Sequence, residues 1–234
     1  MTIIEKFNTG TKTDPAIKDI DLDPAANIKN KKNIKVLLKK IVESNSQNLE
    51  KSINNAYHED AKLKCFHPIN NISGTKDIYD KLWLPLKNSF PDLERRDSLI
   101  VGGSFQDKVF VSTISLLTGT YKQAWLGIPA NNKTIHLRIC EVHQIKDEKI
   151  VESHILIDVV DFIRQAGFWP FNKSNGAEGL WTAPITGDGT TFENLDKKLS
   201  ISSLEQALTM QRSLNIKPES DANADHDYVR NKLM

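Results

Sequence analysis

Most side chains that could transfer protons are concentrated between Asn131 and Val160. Carboxylates and imidazoles are the groups that proteins use most often as general acids and bases. The candidates in this stretch are Glu141, His143, Glu152, His154 and Asp158. They could form one site if the backbone brings them onto one face of a common element.

The stretch reads as two strands joined by a tight polar turn, because apolar residues recur at every second position. The alternating apolar residues are Ile135, Leu137 and Ile139 in the first strand, and Val151, Ile155, Ile157 and Val159 in the second. A turn centred on Asp147 and Glu148 would make the two strands antiparallel neighbours.

This turn predicts a register for the hairpin. Ile145 is expected opposite Ile150, His143 opposite Glu152, and Glu141 opposite His154; Asp158 would follow on the same face, since side chains repeat every second residue. Charged groups on an otherwise apolar face must pair with one another or line a cavity. We therefore expect a pocket with a polar floor, the alternative being the solvated face of an edge hairpin.

Asp158 is flanked by the aliphatic residues Ile157 and Val159. An apolar pocket raises the pKa of a carboxyl group towards neutrality, which suits proton transfer next to a carbonyl. The alternative is that Asp158 caps the short helix predicted after it. For His143 and His154 the alternatives are a proton relay or a cross-strand pair with a glutamate.

A metal site is the other use for such residues. The set His143, Glu152, His154 and Asp158 offers two imidazoles and two carboxylates. Along a strand, however, Asp158 would lie ~13 Å from His154 at ~3.3 Å per residue. One ion cannot bind all four, and we predict no metal.

Composition excludes several classes of partner. The chain has 31 Lys and Arg against 30 Asp and Glu, for a net charge of +1, which does not predict a nucleic-acid partner. Cys65 and Cys140 have no metal-ligand spacing and indicate a reduced compartment. With neither a signal peptide nor an apolar membrane span in the sequence, we expect a cytoplasmic protein without a membrane partner.

The order of the predicted elements indicates the fold. The helices and strands outside the hairpin are a helix at Asn33–Tyr57 that could break between Ser44 and Asn48, a short strand at Lys62–Phe66, a helix starting at Ser73-Gly74-Thr75 that Pro85 would kink or shorten, and strands at Asp97–Val101 and Lys108–Tyr121. Helices followed by antiparallel strands predict an α+β fold in which a curved antiparallel sheet, formed mainly by residues 97–160, wraps the N-terminal helices.

The ends of the chain are more polar than its centre. We expect a flexible arm at residues 1–32, a folded domain at 33–171, and an irregular tail at 172–234. The arm includes the run Lys29-Asn30-Lys31-Lys32, which we interpret as solvated. Within the tail, Ser200–Leu214 is predicted to be a helix capped by Ser200.

Four groups of residues between Asn33 and Phe171 carry a resemblance to a family. They are Gly74 with Phe90-Pro91-Asp92-Leu93; the loop Gly127-Ile128-Pro129-Ala130-Asn131-Asn132-Lys133; Glu141-x-His143; and Ile150-Val151-Glu152-Ser153-His154 with Asp158 and Gln165-Ala166-Gly167. In their order and spacing, these residues resemble the SnoaL-like polyketide cyclases and ester cyclases of the nuclear-transport-factor-2-like superfamily. Asn132 stands where the family usually has glycine.

The resemblance implies a cone that encloses one deep pocket, and a homodimer formed through the outer sheet face. It also implies that the position of Asp158 is the general acid/base of a ring closure, with His143 lining the pocket and neither cofactor nor metal used. The expected lining residues are His67 at the mouth, Glu141, Glu152, Trp83 and Trp125, although both tryptophans could instead be core aromatics. His136 and Arg138 should face outwards.

Two functions fit these expectations. The first is a cyclase-like or isomerase-like enzyme that performs acid/base chemistry on a small hydrophobic carbonyl compound. The second is a binding domain that holds such a small molecule without catalysis. Engagement of Asp158 by a helix cap, or by Arg138 or Arg164, would favour the second. The fold by itself does not decide between them.

Overall fold

The computed structural model describes residues 23–169, 171–172, 186–192 and 196–214. The chain divides into two compact units, one of Asp21–Glu193 and the other of Met1–Ile20 with Asn194–Met234. The first unit contains the predicted domain. Residues 1–22 of the predicted arm, and much of the predicted tail, lie outside the described residues.

The first unit consists of a six-stranded curved sheet with helices mainly before it in the chain. Its elements are α1 (Pro24–Glu43), α2 (Ser46–Ala56), β1 (Tyr57–Cys65), β2 (Asn71–Ser73), α3 (Thr75–Ile78), a π-helical segment (Tyr79–Trp83), α4 (Leu84–Ser89), β3 (Glu94–Phe105), β4 (Lys108–Thr120), β5 (Thr134–Lys146), β6 (Lys149–Ile157), α5 (Val159–Ala166) and a 3₁₀ turn (Asp188–Thr190). The strand order is β2-β1-β6-β5-β4-β3. The α+β fold class is confirmed, although β1 pairs with β6 in parallel where we expected antiparallel neighbours throughout.

Helix α1 begins nine residues before the predicted boundary, since Asp23 caps it and Pro24 occupies its first turn. The helix was predicted to begin too late because Lys31 was interpreted as solvated, whereas it is buried. Its amine lies 5.2 Å from the ring centre of Phe192. The stem of Lys31 packs on the core, and its charge faces an aromatic ring. A search for apolar residues does not recognise such a lysine as a buried helix position. The predicted break after Ser44 is confirmed, with Asn45 capping α2.

Pro85 accounts for the π-helical segment. Proline has no backbone N–H and cannot donate to the carbonyl of residue 81. One turn of the helix widens just before it, where the N–H of Leu84 donates to the carbonyl of Tyr79, five residues back. The predicted kink is therefore a local widening of the helix.

The β5–β6 hairpin turns at Asp147 and Glu148, as predicted, with both residues at positive φ. The register beyond the turn differs from the prediction. Ile145 pairs with Ile150, but Gln144 pairs with Glu152, which leaves Val151 as an extra residue. This β-bulge shifts the rest of β6 by one residue and exchanges its two faces.

The bulge places apolar residues of both strands on the buried inner face. These core residues are Ile135, Leu137 and Ile139 of β5, with Ile155 and Ile157 of β6. The outer face carries His136 and Arg138, as predicted, and a row formed by Ile114, Cys140 and Leu156 on three neighbouring strands. The homodimer implied by the resemblance would cover this row and stays a prediction, which the molecular mass in solution would test.

The second unit contributes α6 (Lys197–Leu214) to the described residues. The helix was predicted from Ser200, but Asp196 precedes it and accepts hydrogen bonds from the N–H groups of Lys198 and Leu199. Among the described residues, no helix has the length and apolar character needed to span a membrane.

The bulge makes a prediction about stability. Deletion of Val151 should restore an unbulged hairpin and turn Ile155 and Ile157 outwards. Each of these side chains contributes about 1.5–3 kcal/mol through burial, so the variant should lose about 3–6 kcal/mol of a typical free energy of unfolding of about 5–15 kcal/mol. Thermal unfolding followed by circular dichroism measures the effect. The control Val151→Thr keeps the extra residue and should unfold near the wild-type temperature; equal stability of the deletion variant would contradict the role of the bulge.

Candidate functional site

A cluster of polar side chains is buried on the inner face of the sheet. Glu141 and His143 occupy inward positions of β5, between the core residues Ile139 and Ile145. Arg95 of β3 reaches Glu141 across β4, whose inward positions carry Thr113 and Ser115. The sequence therefore inserts polar residues at the centre of strands whose inward positions are otherwise apolar.

Arg95 is the centre of this cluster. Its Nη2 lies 2.6 Å from Glu141 Oε2, and it also donates to Thr113 Oγ1 and Ser115 Oγ at 2.9 and 2.8 Å. Its Nε donates to Asp97 Oδ1 at 2.7 Å. Thr113 Oγ1 in turn donates to Glu141 Oε2, and Ser115 Oγ donates to Asp97 Oδ1. Two carboxylates and two hydroxyls thus surround one guanidinium.

The network determines the charges of its members. Burial alone would raise the pKa of Glu141, but the charge of Arg95 and the hydrogen bonds from Arg95 and Thr113 outweigh it and lower that pKa. Burial likewise opposes the charge of Arg95, yet Glu141 and Asp97 raise its pKa. Both partners are therefore ionised at neutral pH.

The surroundings of His143 favour its neutral form. Its side chain is fully buried, and burial lowers its pKa to about 4, an effect that Glu141 opposes and Arg95 reinforces. The imidazole is therefore neutral at pH 7. Its Nδ1 lies 2.7 Å from the hydroxyl of Ser153, which the bulge in β6 turns inwards.

Two polar atoms of the cluster face each other without a hydrogen-bond partner. They are Glu141 Oε1 and His143 Nε2, which are 3.8 Å apart and completely buried. This separation is too long for a direct hydrogen bond. A single oxygen atom at about 2.8 Å from both atoms would complete the pair, with an angle of roughly 85° at that oxygen.

Other buried donors and acceptors in the unit are also unpartnered. They are Arg95 Nη1, Trp83 Nε1 and Trp125 Nε1. Burial raises the pKa of Tyr57, an effect that Ser153 opposes. Trp125 packs among Phe66, Phe90 and Phe162. Both predicted lining tryptophans are therefore buried in the core, which was the alternative reading of the sequence.

The predicted grouping of Glu152 and His154 with Glu141 and His143 was wrong. The one-residue shift at Val151 places both residues on the outer face. His154 Nε2 lies 3.0 Å from Glu152 Oε1, which also binds Lys64 at 2.7 Å. The side chain of His154 is 55% exposed, so the pair lies in water and not in a pocket.

The prediction that Asp158 projects inwards beside His143 was also wrong. Its Oδ1 accepts the backbone N–H of Asp161 and caps α5. Its Oδ2 lies 2.6 Å from Arg138 Nη2, on the outer side of the sheet, and the side chain is 35% exposed. These are the two contacts, a helix cap and a pairing with Arg138, that we expected to favour a binding protein over an enzyme.

Asp158 and the exposed His67 line a groove of about 460 Å³ together with Phe66, Arg138 and Leu156. Neither Glu141 nor His143 lines it. Within the described residues, no group of three or more His, Cys, Asp or Glu side chains is arranged to hold a metal ion. The four-residue metal set considered from the sequence is divided between the two faces of the sheet.

Sequence reasoning missed Arg95, Tyr57, Thr113, Ser115 and Ser153. One signal was available for part of this set: Thr113 and Ser115 continue the inward alternation of Val111 and Leu117. A second signal was that Ile150 and Ile155 can both face inwards only if β6 contains an extra residue. Arg95 could not be paired with Glu141 from sequence, since 46 positions separate them.

The low pKa of His143 makes stability depend on pH. As pH falls, the unfolded imidazole binds a proton near 6.5, whereas the folded one does so only near 4. Stability should therefore fall with decreasing pH across this window. His143→Gln should remove about 3 kcal/mol of that loss between pH 7 and pH 4. Urea unfolding at several pH values measures it, with His154→Gln as the exposed control; equal pH dependence in wild type and His143→Gln would refute the assignment.

The geometry of Asp158 gives a separate prediction. Asp158→Ala removes both the cap and the ion pair and should lower the free energy of unfolding by about 1–2 kcal/mol. Asp158→Asn keeps a capping oxygen and loses only a partly exposed ion pair, worth about 0–1 kcal/mol. Chemical denaturation of the two variants side by side distinguishes these contributions. An Asn variant as unstable as the Ala variant would show that capping is not the main contribution.

Several solved structures are similar to this chain. They include a protein assigned to the SnoaL-like polyketide cyclases from Jannaschia sp. CCS1, at 14% identity and a TM-score of 0.49 over 66% of this chain and 95% of that chain. TsrD from Streptomyces laurentii has 15% identity and a TM-score of 0.48, over 63% of this chain and 98% of that chain. A phenazine biosynthesis-related protein from Pseudomonas aeruginosa has 16% identity and a TM-score of 0.45, over 66% and 97%.

No curated protein matches the chain. The family model of the SnoaL-like polyketide cyclases matches residues 35–166, which is more than half of the chain. The matched region begins in α1 and ends with the last residue of α5, so it includes Arg95, Glu141 and His143. The chain belongs to the SnoaL-like polyketide cyclase family.

Proposed function

We propose that the protein is a cyclase-like or isomerase-like enzyme in which His143 and Glu141 transfer a proton on a small hydrophobic carbonyl compound. The observation that carries this proposal is the buried, unpartnered pair Glu141 Oε1 and His143 Nε2, 3.8 Å apart. A neutral imidazole beside an ionised carboxylate is a general base whose protonated form is stabilised as soon as it forms. Membership of the family supports a cyclase-like role.

The proton transfer takes place at the carbon next to the carbonyl group. The C–H bond breaks, an N–H bond forms at His143 Nε2, and the electron pair moves onto the carbonyl oxygen as an enolate. For Nε2 to accept a proton, Nδ1 must carry the other one and donate it to Ser153, at the observed 2.7 Å. Ser153 Oγ accepts that hydrogen bond when His143 is in the tautomer that can act as a base.

Two outcomes follow from the enolate. In an isomerisation, His143 returns the proton to a different atom of the same molecule. In a ring closure, the enolate carbon attacks a second carbonyl group of that molecule, and His143 protonates the new alkoxide. Both reactions restore neutral His143, so that the site can act again.

The low pKa of His143 is compatible with this role. A pKa of about 4 describes the imidazole surrounded by the protein alone. When the proton comes from a bound ligand, the imidazolium forms together with an enolate, and the net charge of the site does not change. Attraction between the new charges, together with the charge of Glu141, stabilises the imidazolium in a region of low dielectric.

The second candidate function is binding without catalysis. The observation in its favour is that Asp158, the residue that the family resemblance implies as acid/base, is held by the α5 cap and by Arg138. In that case the interior cluster would recognise a carbonyl compound and transfer no proton. The two functions differ in whether a bound ligand exchanges its hydrogen atoms.

Hydrogen exchange tests the proposal before the natural substrate is known. A panel of small cyclic and aromatic ketones is incubated with the protein in D₂O, and loss of the α-proton signals is followed by NMR. Wild type should accelerate exchange for some ketones, and His143→Gln should reduce that rate by about 10²–10⁴-fold. His154→Gln is the matched control, because this histidine lies on the outer face, and it should retain the wild-type rate.

The outcomes separate the two functions. Saturable ketone binding with no exchange above the buffer rate would establish the binding function and refute the enzyme. Equal exchange by wild type and His143→Gln would remove His143 from the reaction. Retention of the fold in each variant is checked by the NMR spectrum of the protein itself.

A further inference from the structure

We propose that Arg95 Nη1 is the donor that binds the ligand's oxygen atom and stabilises its negative charge, so that Arg95 is a catalytic residue as well as the partner of Glu141. This inference rests on the proposed function, because it concerns the oxygen of the same carbonyl group. It adds a residue that neither the motifs of the chain nor the hairpin pattern indicated.

One nitrogen of the Arg95 guanidinium, Nη1, is left unused by the network. Nε binds Asp97, and Nη2 binds Glu141, Thr113 and Ser115, whereas Nη1 is buried and has no partner. The whole Arg95 side chain is inaccessible to solvent. A buried donor left without a partner costs about 1–3 kcal/mol, and more when it is charged. A bound acceptor that takes a hydrogen bond from Nη1 would remove this cost.

The contacts of the ion pair limit the distance from this donor to the base. Nη1 and Glu141 Oε1 are the two unused ends of one ion pair whose contact measures 2.6 Å. Since each planar group spans about 2.2 Å between its outer atoms, Nη1 lies no more than about 7 Å from Oε1. His143 Nε2 is 3.8 Å from the same Oε1. Nη1 therefore lies within about 11 Å of Nε2, and a ligand with its oxygen at the donor and its α-carbon at the base requires a separation below about 9 Å.

The charges of the cluster define which ligands fit. Arg95 carries one positive charge, Glu141 and Asp97 carry two negative charges, and His143 is neutral, so the cluster is already anionic before a ligand binds. A carboxylate would add a second uncompensated charge to a buried site, which is strongly unfavourable. A neutral ligand that gives its proton to His143 adds none. The site should therefore bind neutral carbonyl, enol or phenol groups in preference to carboxylates.

The probe for this inference is 4-nitrophenol, whose neutral and ionised forms differ in absorption. Its ionised oxygen represents the enolate oxygen, and its proton represents the proton transferred to His143. At a pH below the pKa of the free phenol, binding to wild type should increase the ionised fraction about tenfold or more. 4-Nitrobenzoate has a similar ring but a permanent negative charge, and should bind at least tenfold more weakly.

Arg95→Lys is the informative variant. Lysine keeps the positive charge beside Glu141 and Asp97 but lacks the planar fork that supplies a separate donor. The bound phenol should lose most of its additional ionisation while the NMR spectrum of the protein stays native-like. If this variant does not fold, the ¹⁵N signals of the Arg95 guanidinium in wild type replace it. They should shift on addition of 4-nitrophenol and stay unchanged with 4-nitrobenzoate.

Several results would overturn the inference. They are equal ionisation of the phenol in wild type and a folded Arg95→Lys, Arg95 signals that do not respond to the phenol, tighter binding of 4-nitrobenzoate, and no binding of 4-nitrophenol by wild type. Failure of the proposed function looks different. The phenol would still give its proton to His143 in an Arg95-dependent way, but no ketone would exchange its α-protons.

Discussion

The buried ion pair between Arg95 and Glu141 is the interaction on which the inner face of this sheet depends. It joins strand β3, at the edge of the sheet, to β5 two strands away, and both side chains are completely inaccessible to solvent. Desolvation of two charges costs several kcal/mol for each ion, and only close geometry with further hydrogen bonds compensates for it. Thr113, Ser115 and Asp97 supply those bonds. The pair is thus maintained by a network and not by the two charges alone.

The same network explains why His143 stays neutral. A histidine beside a carboxylate usually gains a proton, but here burial and the nearby charge of Arg95 outweigh the attraction of Glu141 and lower the pKa of the imidazole. Ser153 adds a hydrogen bond at Nδ1. The result is a neutral imidazole whose second nitrogen faces a carboxylate oxygen that Arg95 does not use. The proposed base and the carboxylate that would stabilise its protonated form occur together because Arg95 is shared between Glu141 and Asp97.

Asp158 illustrates the difference between a motif and its environment. The position follows β6 as the family pattern requires, and the chain belongs to that family. In this protein its carboxylate caps α5 and binds Arg138 on the outer side of the sheet. A carboxyl group in that setting stabilises a helix start. The interior polar groups come instead from β3, β4 and β5, and our proposal therefore assigns the chemistry to Glu141, His143 and Arg95.

The sequence by itself determined the features that depend on near neighbours. Alternation of apolar residues identified the β5–β6 hairpin, its turn at Asp147 and Glu148, and the inward face of β5 that carries Glu141 and His143. Helix signals identified α2 and the short helix α5 that follows Asp158. The left-handed conformation of Asn132, where the family usually has glycine, fits a residue type that tolerates positive φ.

Only the tertiary structure decided which polar groups meet. One extra residue at Val151 exchanged the faces of β6, which brought Ser153 inwards and sent Glu152 and His154 to solvent. Arg95 meets Glu141 across 46 positions of sequence, through a strand that separates them in the sheet. Side-chain periodicity is a local property, whereas register and burial are set by the packing of the whole sheet. For that reason the sequence could indicate the strand that carries Glu141 and His143, but not the cation that pairs with Glu141.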